Sequence, residues 1–349
     1  MQYGAEASLE AVRKAYQRRF VSTPGIISTL DDQVACSLTI TQVDLNLDHM
    51  GEHFKKLRED GVTPDDHPWM EASELWRHAR ELVCGFYYRW NPRPPQSWLI
   101  PRKRWYKFVR DAIKDSQRYD SEKQVKTACE LWYTDQKHGL NPFVMEPVIT
   151  TQEDGCLIER IESIDAYATW KAVENTFIPN QEPVWISDTV LRYASQWLTD
   201  NTGIAWVEHI TVGERLAEMS GYRYYGEGGK SKDGRDIMDE RMSAIASIRA
   251  CGEGQNLQHF NKNLIVSCPT SGGVWEQMVS RTHRDGQEAD EVTFEVIMGC
   301  KEAVVGFHNA MKDAKFIQDS IGASQKLLYA DVLVNSLTEM SLRDGPLWK

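Results

Sequence analysis

Between residues 181 and 310 the chain alternates short, wholly apolar runs with segments of helical period. The runs are VWIS (184–187), IAWVEH (204–209), YRYYG (222–226), SAIASIRA (243–250), NLIVSC (263–268) and VTFEVIM (292–298). Unbroken apolar runs bounded by turn residues predict strands buried on both faces, as in a parallel sheet. DTVLRYASQWLTD (188–200), with Asp188 in the N-cap position, and TVGERLAEMS (211–220) predict helices between them. The expectation is an α/β sheet domain over 181–310 with helices on both faces, then a helical tail over 311–349 with a polar end.

Residues 1–180 follow another pattern. Leu9, Val12, Tyr16 and Phe20 recur near a 3.6 period, and TPG at 23–25 closes that helix. Short β-like stretches such as ACSLTI fall within 26–48. MEASELWRHARELVCGFYYRW (70–90) predicts one long helix ended by NPRPP (91–95), two more follow over 101–116 and 121–137, and HGLNPF opens a boundary loop over 138–155. The expected first region is therefore mostly helical and aromatic-rich.

Composition narrows the class. The 349 residues, 41% hydrophobic and 26% charged, contain no apolar run of roughly 18 residues, and the N-terminal segment has acids where a signal peptide has its apolar core; a cytoplasmic protein is expected. Seven scattered cysteines without a CxxC pair, and nine histidines without ligand spacing, suggest neither a disulfide framework nor a dedicated metal site. The net charge of −11 excludes a general nucleic-acid-binding coat but not a local basic tract. Residues 89–110, RWNPRPPQSWLIPRKRWYKFVR, are such a tract: seven Arg or Lys, no acid, and Trp90, Trp98, Trp105, Tyr106 and Phe108 interleaved. Arg102, Lys103, Arg104 and Lys107 are its candidate phosphate contacts, the rings its candidate stacking platform. The alternative is an amphipathic helix whose tryptophans are core and whose basic face is solvated.

The run YYGEGGKSKDGRD (224–236) invites comparison with a phosphate-binding loop, but Tyr224 stands where G-x-x-x-x-G-K-[ST] needs its first glycine. The residues after Ser231 read as a turn rather than a helix, so a surface turn beyond the third strand is expected, with Lys230 solvated.

Two other stretches carry more chemistry. In SIRACGEGQNLQHFNKNLIV (247–266) a strand runs into Gly252 and Gly254, and glycines at a strand's C-terminal edge let a backbone approach a ligand closely. In WEQMVSRTHRDGQEADEV (275–292) Gln277, Arg281, His283, Arg284 and Gln287 cluster between two strands. Arg281 and Arg284, three apart on a helix, share a face, and their rigid donor forks suit a triphosphate.

Together these stretches resemble the C-terminal RecA-like domain of superfamily 2 helicases and translocases, most closely the chromatin-remodeller-like branch and its phage-encoded relatives. Motif V of that family, S-T-R-A-G-G-x-G-x-N-L, is similar to Ser247-Ile248-Arg249-Ala250-Cys251-Gly252-Glu253-Gly254-Gln255-Asn256-Leu257, and motif VI, Q-x-x-x-R-x-H-R-x-G-Q, to Gln277, Arg281, His283, Arg284, Gly286 and Gln287. The resemblance implies that Arg281 and Arg284 are arginine fingers on an ATP held by a partner RecA-like domain. It implies further that Gln277, Gly252, Gly254, Asn256 and Gln287 belong to the ATP interface, and that motif V, through Ser247 and Arg249, couples that interface to bound nucleic acid. RRFVSTPGI (18–26) and GFYYRWNPRPPQSWL (85–99) look similar, more loosely, to the inter-domain region of phage helicases.

The departures are as informative. The sequence contains no GxxxxGK[ST] and no DExx box after an apolar strand in its first half, the elements by which such enzymes hold ATP and magnesium. Where the family carries Asp-x-x-Trp-Asn-Pro, this chain has Ser267-Cys268-Pro269-Thr270, with Trp275 displaced. The expectation is a half-enzyme beginning where an ATP-binding half would end. That half would stand on another polypeptide or be lost to truncation; DNA is the other expected partner, with no membrane, and the chain would be inactive alone. The alternative is a non-enzymatic module, derived from a helicase, that binds nucleic acid or a replisome partner.

Overall fold

A computed structural model of the chain describes residues 34–66, 72–116, 121–138, 156–178, 180–252 and 254–334, together with positions 11, 12, 14, 15, 18, 19, 69 and 119. Most of the expected first helix and of RRFVSTPGI, the loop after His138, Glu253 and the end of the tail lie outside these residues.

In chain order the elements are β1 (Ser37–Val43), α1 (Gly51–Lys55), α2 (Ala72–Val83), β2 (Phe86–Trp90), α3 (Gln96–Ser116), α4 (Glu122–His138), α5 (Cys156–Val173), β3 (Gln181–Trp185), α6 (Thr189–Asp200), β4 (Ile204–Val207), α7 (Ile210–Ser220) and β5 (Tyr224–Tyr225). They continue with β6 (Ala244–Ser247), α8 (Ile248–Cys251), β7 (Lys262–Ile265), α9 (Gly272–Thr282), β8 (Glu291–Ile297), α10 (Lys301–Ile321), α11 (Lys326–Tyr329) and β9 (Asp331–Leu333). Two compact units result. One takes the N-terminal segment up to Gly51, Ala79–Phe86 and the chain from Trp185 onward; the other takes Glu52–His78 and Tyr87–Val184.

The first unit is built on a seven-stranded sheet of order β5-β6-β4-β7-β8-β1-β9. Its ladders are parallel. From β4 the chain winds to one edge and back through β6, then crosses β4 to β7 and on to β8. Right-handed crossovers in opposite directions place the connecting helices on opposite faces. Strands β4 and β6 are buried along their whole length, which is why they carry no polar alternation. Trp206, Phe294, Ile40, Ile265 and Trp275 lie in one apolar cluster, and Trp275 meets Phe307 of α10 edge to face at 5.3 Å. This is the α/β, RecA-like class expected from the sequence.

Its membership differs from the expected boundaries. β1, from the nominally helical first region, pairs with β8 over seven residues, Ser37 with Glu291 through Val43 with Ile297. The 311–349 segment is not simply a helical tail, because α10 begins at Lys301 and β9 returns to the sheet beside β1. Conversely VWIS does not enter the sheet; β3 pairs with β2 in a separate two-stranded ribbon. Asp188 occupies the N-cap position of α6 but makes no side-chain capping bond. Its carboxylate instead receives Arg215. The long helix expected over 70–90 stops after Val83, because Gly85 adopts φ +84° and a β-carbon there would run into the Ser187 carbonyl oxygen. FYYRW then becomes strand β2.

The second unit has its own core. Trp98, Trp105, Val109, Val125, Cys129, Tyr167 and Trp170 from α3, α4 and α5 pack together. Trp98 meets Trp170 at 5.2 Å and Trp105 meets Tyr167 at 5.7 Å, both edge to face. No helix among the described residues is long and apolar enough to cross a membrane.

Candidate functional site

The motif-like stretches at 247–257 and 277–287 lie far apart along the chain yet form one constellation. At the end of β6 the Ser247 hydroxyl accepts the Ala250 amide at 3.2 Å and caps the single turn of α8. The buried Gly252 has no room for a side chain against the Ile248 carbonyl, and Gly254 follows at φ +72°. The loop then returns, anchored by buried Leu257 and Phe260, and the Leu257 amide donates to the Arg281 carbonyl at 3.0 Å.

Arg281, in the last turn of α9, fixes this loop with its guanidinium. Its Nε donates to the Gly252 carbonyl at 2.9 Å and to the Gln277 carbonyl at 3.1 Å, and its Nη1 to the Gln255 carbonyl at 3.2 Å. Gln287 does similar work on the other side: its amide nitrogen donates to Phe260 and Thr282 carbonyls at 3.0 and 2.9 Å, and its oxygen accepts the Ala289 amide. Through these bonds Arg281 and Gln287 hold the loop. An occupied guanidinium must break bonds before it can meet a phosphate.

Arg284 differs. It is half-buried beyond the end of α9, and its guanidinium makes no hydrogen bond or ion pair with a described residue. Beside it, the His283 Nε2–H donates to the Cys36 carbonyl at 3.0 Å, and burial pushes its pKa below the ordinary histidine value. Its Nδ1 is buried without a partner. The ring, tied to the backbone just before β1, orients the helix end. Gln277, Gly254, Asn256 and Arg249 are exposed around the loop, and Ser247 is buried, its hydroxyl committed to the cap. Trp275 is core, its indole N–H donating to the Pro269 carbonyl at 3.0 Å.

The basic tract is divided by the fold. Arg102 is 7% exposed, its guanidinium 4.0 Å from the Tyr106 ring centre, 4.8 Å from Trp90 and 5.4 Å from Trp98, and it donates to the Tyr106 hydroxyl at 2.7 Å. Burial lowers its pKa and pushes the Tyr106 phenol up to about 12. Arg102 is thus a core cation enclosed by ring faces, not the phosphate contact expected of it. Trp98 and Trp105 are core as well, so the tract is an amphipathic helix rather than a stacking platform. Its solvated face keeps Lys103 and Lys107, while Arg104 pairs with Asp165 at 2.5 Å. Glycine-rich 226–236 closes on itself as expected: the Gly226 amide donates to the Lys230 carbonyl at 2.9 Å, Lys230 pairs with Asp236 at 2.7 Å, and Ser231 accepts the Arg235 amide. Its polar groups bond one another rather than line a cradle.

Among the described residues no cluster of His, Cys, Asp and Glu could hold a metal ion. The residues present fit a donor to a nucleotide's phosphates, not the cradle for ATP or magnesium. One further feature had no motif to announce it. A cavity of about 420 Å³ in the first unit is lined by His49, Ser187, Thr189, Arg192 and Arg215, among others.

No family model and no curated protein matches the chain. Among solved structures, the C-terminal part of the Fun30 ATPase domain is similar, with 15% identity and a TM-score of 0.37 over 79% of this chain and 88% of that one. A DEAD box protein from the hyperthermophile Methanococcus jannaschii has 14% identity and a TM-score of 0.29, over 42% of this chain and 38% of that one. S. cerevisiae Dbp5 bound to RNA and ADP BeF3 has 14% identity and a TM-score of 0.28, over 44% and 39%. At these scores the function rests on the chain's own residues.

Proposed function

We propose that this chain is the C-terminal, RecA-like half of an ATP-dependent nucleic-acid helicase or translocase, acting on a nucleotide and magnesium held by an N-terminal half in trans. The supporting observation is the division of labour in the 277–287 stretch: Arg281 ties the glycine loop to α9, and Arg284 is left unpaired at the same helix end. An arginine finger needs a rigid base and an uncommitted guanidinium, and this arrangement has both. Arg284 is then the finger, Arg281 its positioning residue, and Gly252, Gly254 and Asn256 the loop that passes nucleotide state to a bound strand. DNA is the proposed substrate.

A finger is worth roughly 10³–10⁵ in rate only where ATP and magnesium are already held. The isolated chain is therefore expected to show no DNA-stimulated hydrolysis. Mixing it with an adjacent-gene product that carries a GKT or GKS loop should restore hydrolysis, and Arg284→Ala should abolish that gain. Hydrolysis by the pure chain would sink the proposal.

The exposed Lys103 and Lys107 favour a second reading, a non-enzymatic nucleic-acid-binding module. Lys103→Glu/Lys107→Glu should then weaken binding and flatten its salt dependence, while Arg284→Ala leaves both unchanged.

A further inference from the structure

We propose that the cavity beside α6 is a binding site for a phosphate group, formed by His49, Ser187, Thr189, Arg192 and Arg215. The charge balance of its wall points that way. Its one carboxylate, Asp188, is matched by Arg215, whose Nε and Nη2 reach Oδ1 at 3.0 and 2.9 Å and whose Nη2 reaches Oδ2 at 3.1 Å. Arg215 is clamped further by stacking on Trp185, 4.4 Å from the ring centre, and its Nη1 has no partner among the described residues. Arg192, on the same wall, is exposed and pairs with no described carboxylate. An acidic protein thus keeps an uncompensated guanidinium beside a second, immobilised one.

The hydroxyls complete the donor set. His49 Nε2 lies 2.7 Å from the Ser187 oxygen, which also accepts the Thr189 amide at 3.2 Å and donates its proton to the Thr189 hydroxyl oxygen at 3.0 Å. His49, Ser187 and Thr189 thus form one hydrogen-bonded chain on the cavity wall. The turn is rigid: the Ile186 and Ser187 amides both donate to the Gly85 carbonyl, at 2.8 and 3.0 Å. The open fork of Arg192, the unpartnered Nη1 of Arg215 and the adjacent hydroxyls, with no free carboxylate competing, match the several acceptor oxygens of a phosphate better than the two of a carboxylate.

The phosphate could belong to a nucleic-acid strand, which rests on the function proposed above, or to a free phosphate ester, which does not. The test is an NMR titration of the full chain, following the His49 imidazole and the Arg192 and Arg215 Nε–H signals, with inorganic phosphate and separately with a single-stranded oligonucleotide. Sodium chloride at equal ionic strength is the control. Phosphate should shift these signals saturably where chloride does not. Arg192→Glu, an exposed change that leaves the circular dichroism intact, should weaken binding at least tenfold, and Lys103→Glu should not. An oligonucleotide that displaces phosphate identifies a strand as the source; phosphate binding untouched by it identifies a free ester, and the site stands in either case. No saturable shift with either ligand, or equal affinity in Arg192→Glu, overturns the proposal. Oligonucleotide binding lost only in Lys103→Glu/Lys107→Glu, with these signals unmoved, refutes the pocket and leaves nucleic-acid binding intact.

Discussion

Arg281 and Arg284 are three residues apart and look alike in the sequence, but the fold gives them different energetics. Replacing Arg281 by Ala removes the donors to the Gly252 and Gln255 carbonyls, which hold the loop after β6, and the donor to the Gln277 carbonyl within α9. A hydrogen bond involving a charged group contributes about 1.5–3 kcal/mol; for a half-buried guanidinium the two loop bonds together should give the low end, about 2–3 kcal/mol. In a unit of this size that corresponds to a drop of roughly 5–10 °C in Tm, at about 2–4 °C per kcal/mol. Arg284→Ala deletes no bond and should stay within about 0.5 kcal/mol of the parent. Urea unfolding gives the two values, and amide exchange at Leu257, whose N–H bonds the Arg281 carbonyl, reports the loop directly. Arg281→Ala should speed that exchange and Arg284→Ala should not. If Arg281→Ala is neutral, or both variants destabilise equally, the division between positioning residue and finger is wrong.

Three other outcomes follow from groups that the fold encloses or partly desolvates. Arg102→Ala should cost about 2–4 kcal/mol by emptying the space between Trp90, Trp98 and Tyr106 and leaving the Tyr106 hydroxyl without its donor, yet leave oligonucleotide affinity unchanged; a thermal melt and a binding titration check the two halves. Asn263 is fully buried, accepts the Trp206 indole N–H at 3.0 Å and donates to Thr282 and the Thr293 carbonyl at 3.2 Å, so Asn263→Ala should cost about 2–4 kcal/mol in a urea titration. Desolvation lowers the pKa of His283, His259 and His308 in the folded chain, so on acidification the unfolded state takes up protons first. Stability should therefore fall as pH drops below about 6.5, the unfolded histidine value, and His283→Gln should reduce that slope between pH 7 and 5.5.

Much of the first unit was legible because its strands are short and buried on both faces, so the sequence announces them as apolar blocks. IAWVEH and SAIASIRA each contain a sheet strand, and NLIVSC and VTFEVIM each cover all but the first residue of one. β1 was legible as a strand but not as a member of this sheet. Its partner β8 lies about 250 residues away, and parallel pairing leaves no local mark of which strands will meet. The helix expected over 70–90 failed at a point only tertiary contact could reveal: Gly85 is free to turn, and the nearby Ser187 carbonyl forbids anything larger. The aromatic basic tract allowed two readings because charge and ring content are the same in both, and burial of Trp98, Trp105 and Arg102 decided between them.

By itself, then, the sequence determined the α/β class, the positions of the central sheet strands and the two motif-like stretches, since burial on both faces and residue spacing are local properties of the chain. Only the tertiary structure decided which polar side chains were already engaged. It turned Arg281, Gln287 and Arg102 inward onto protein partners, left Arg284 and Arg192 without them, and brought His49 within 2.7 Å of Ser187. A guanidinium's role depends on what satisfies its donors, and its partners here come from segments that the linear order keeps apart.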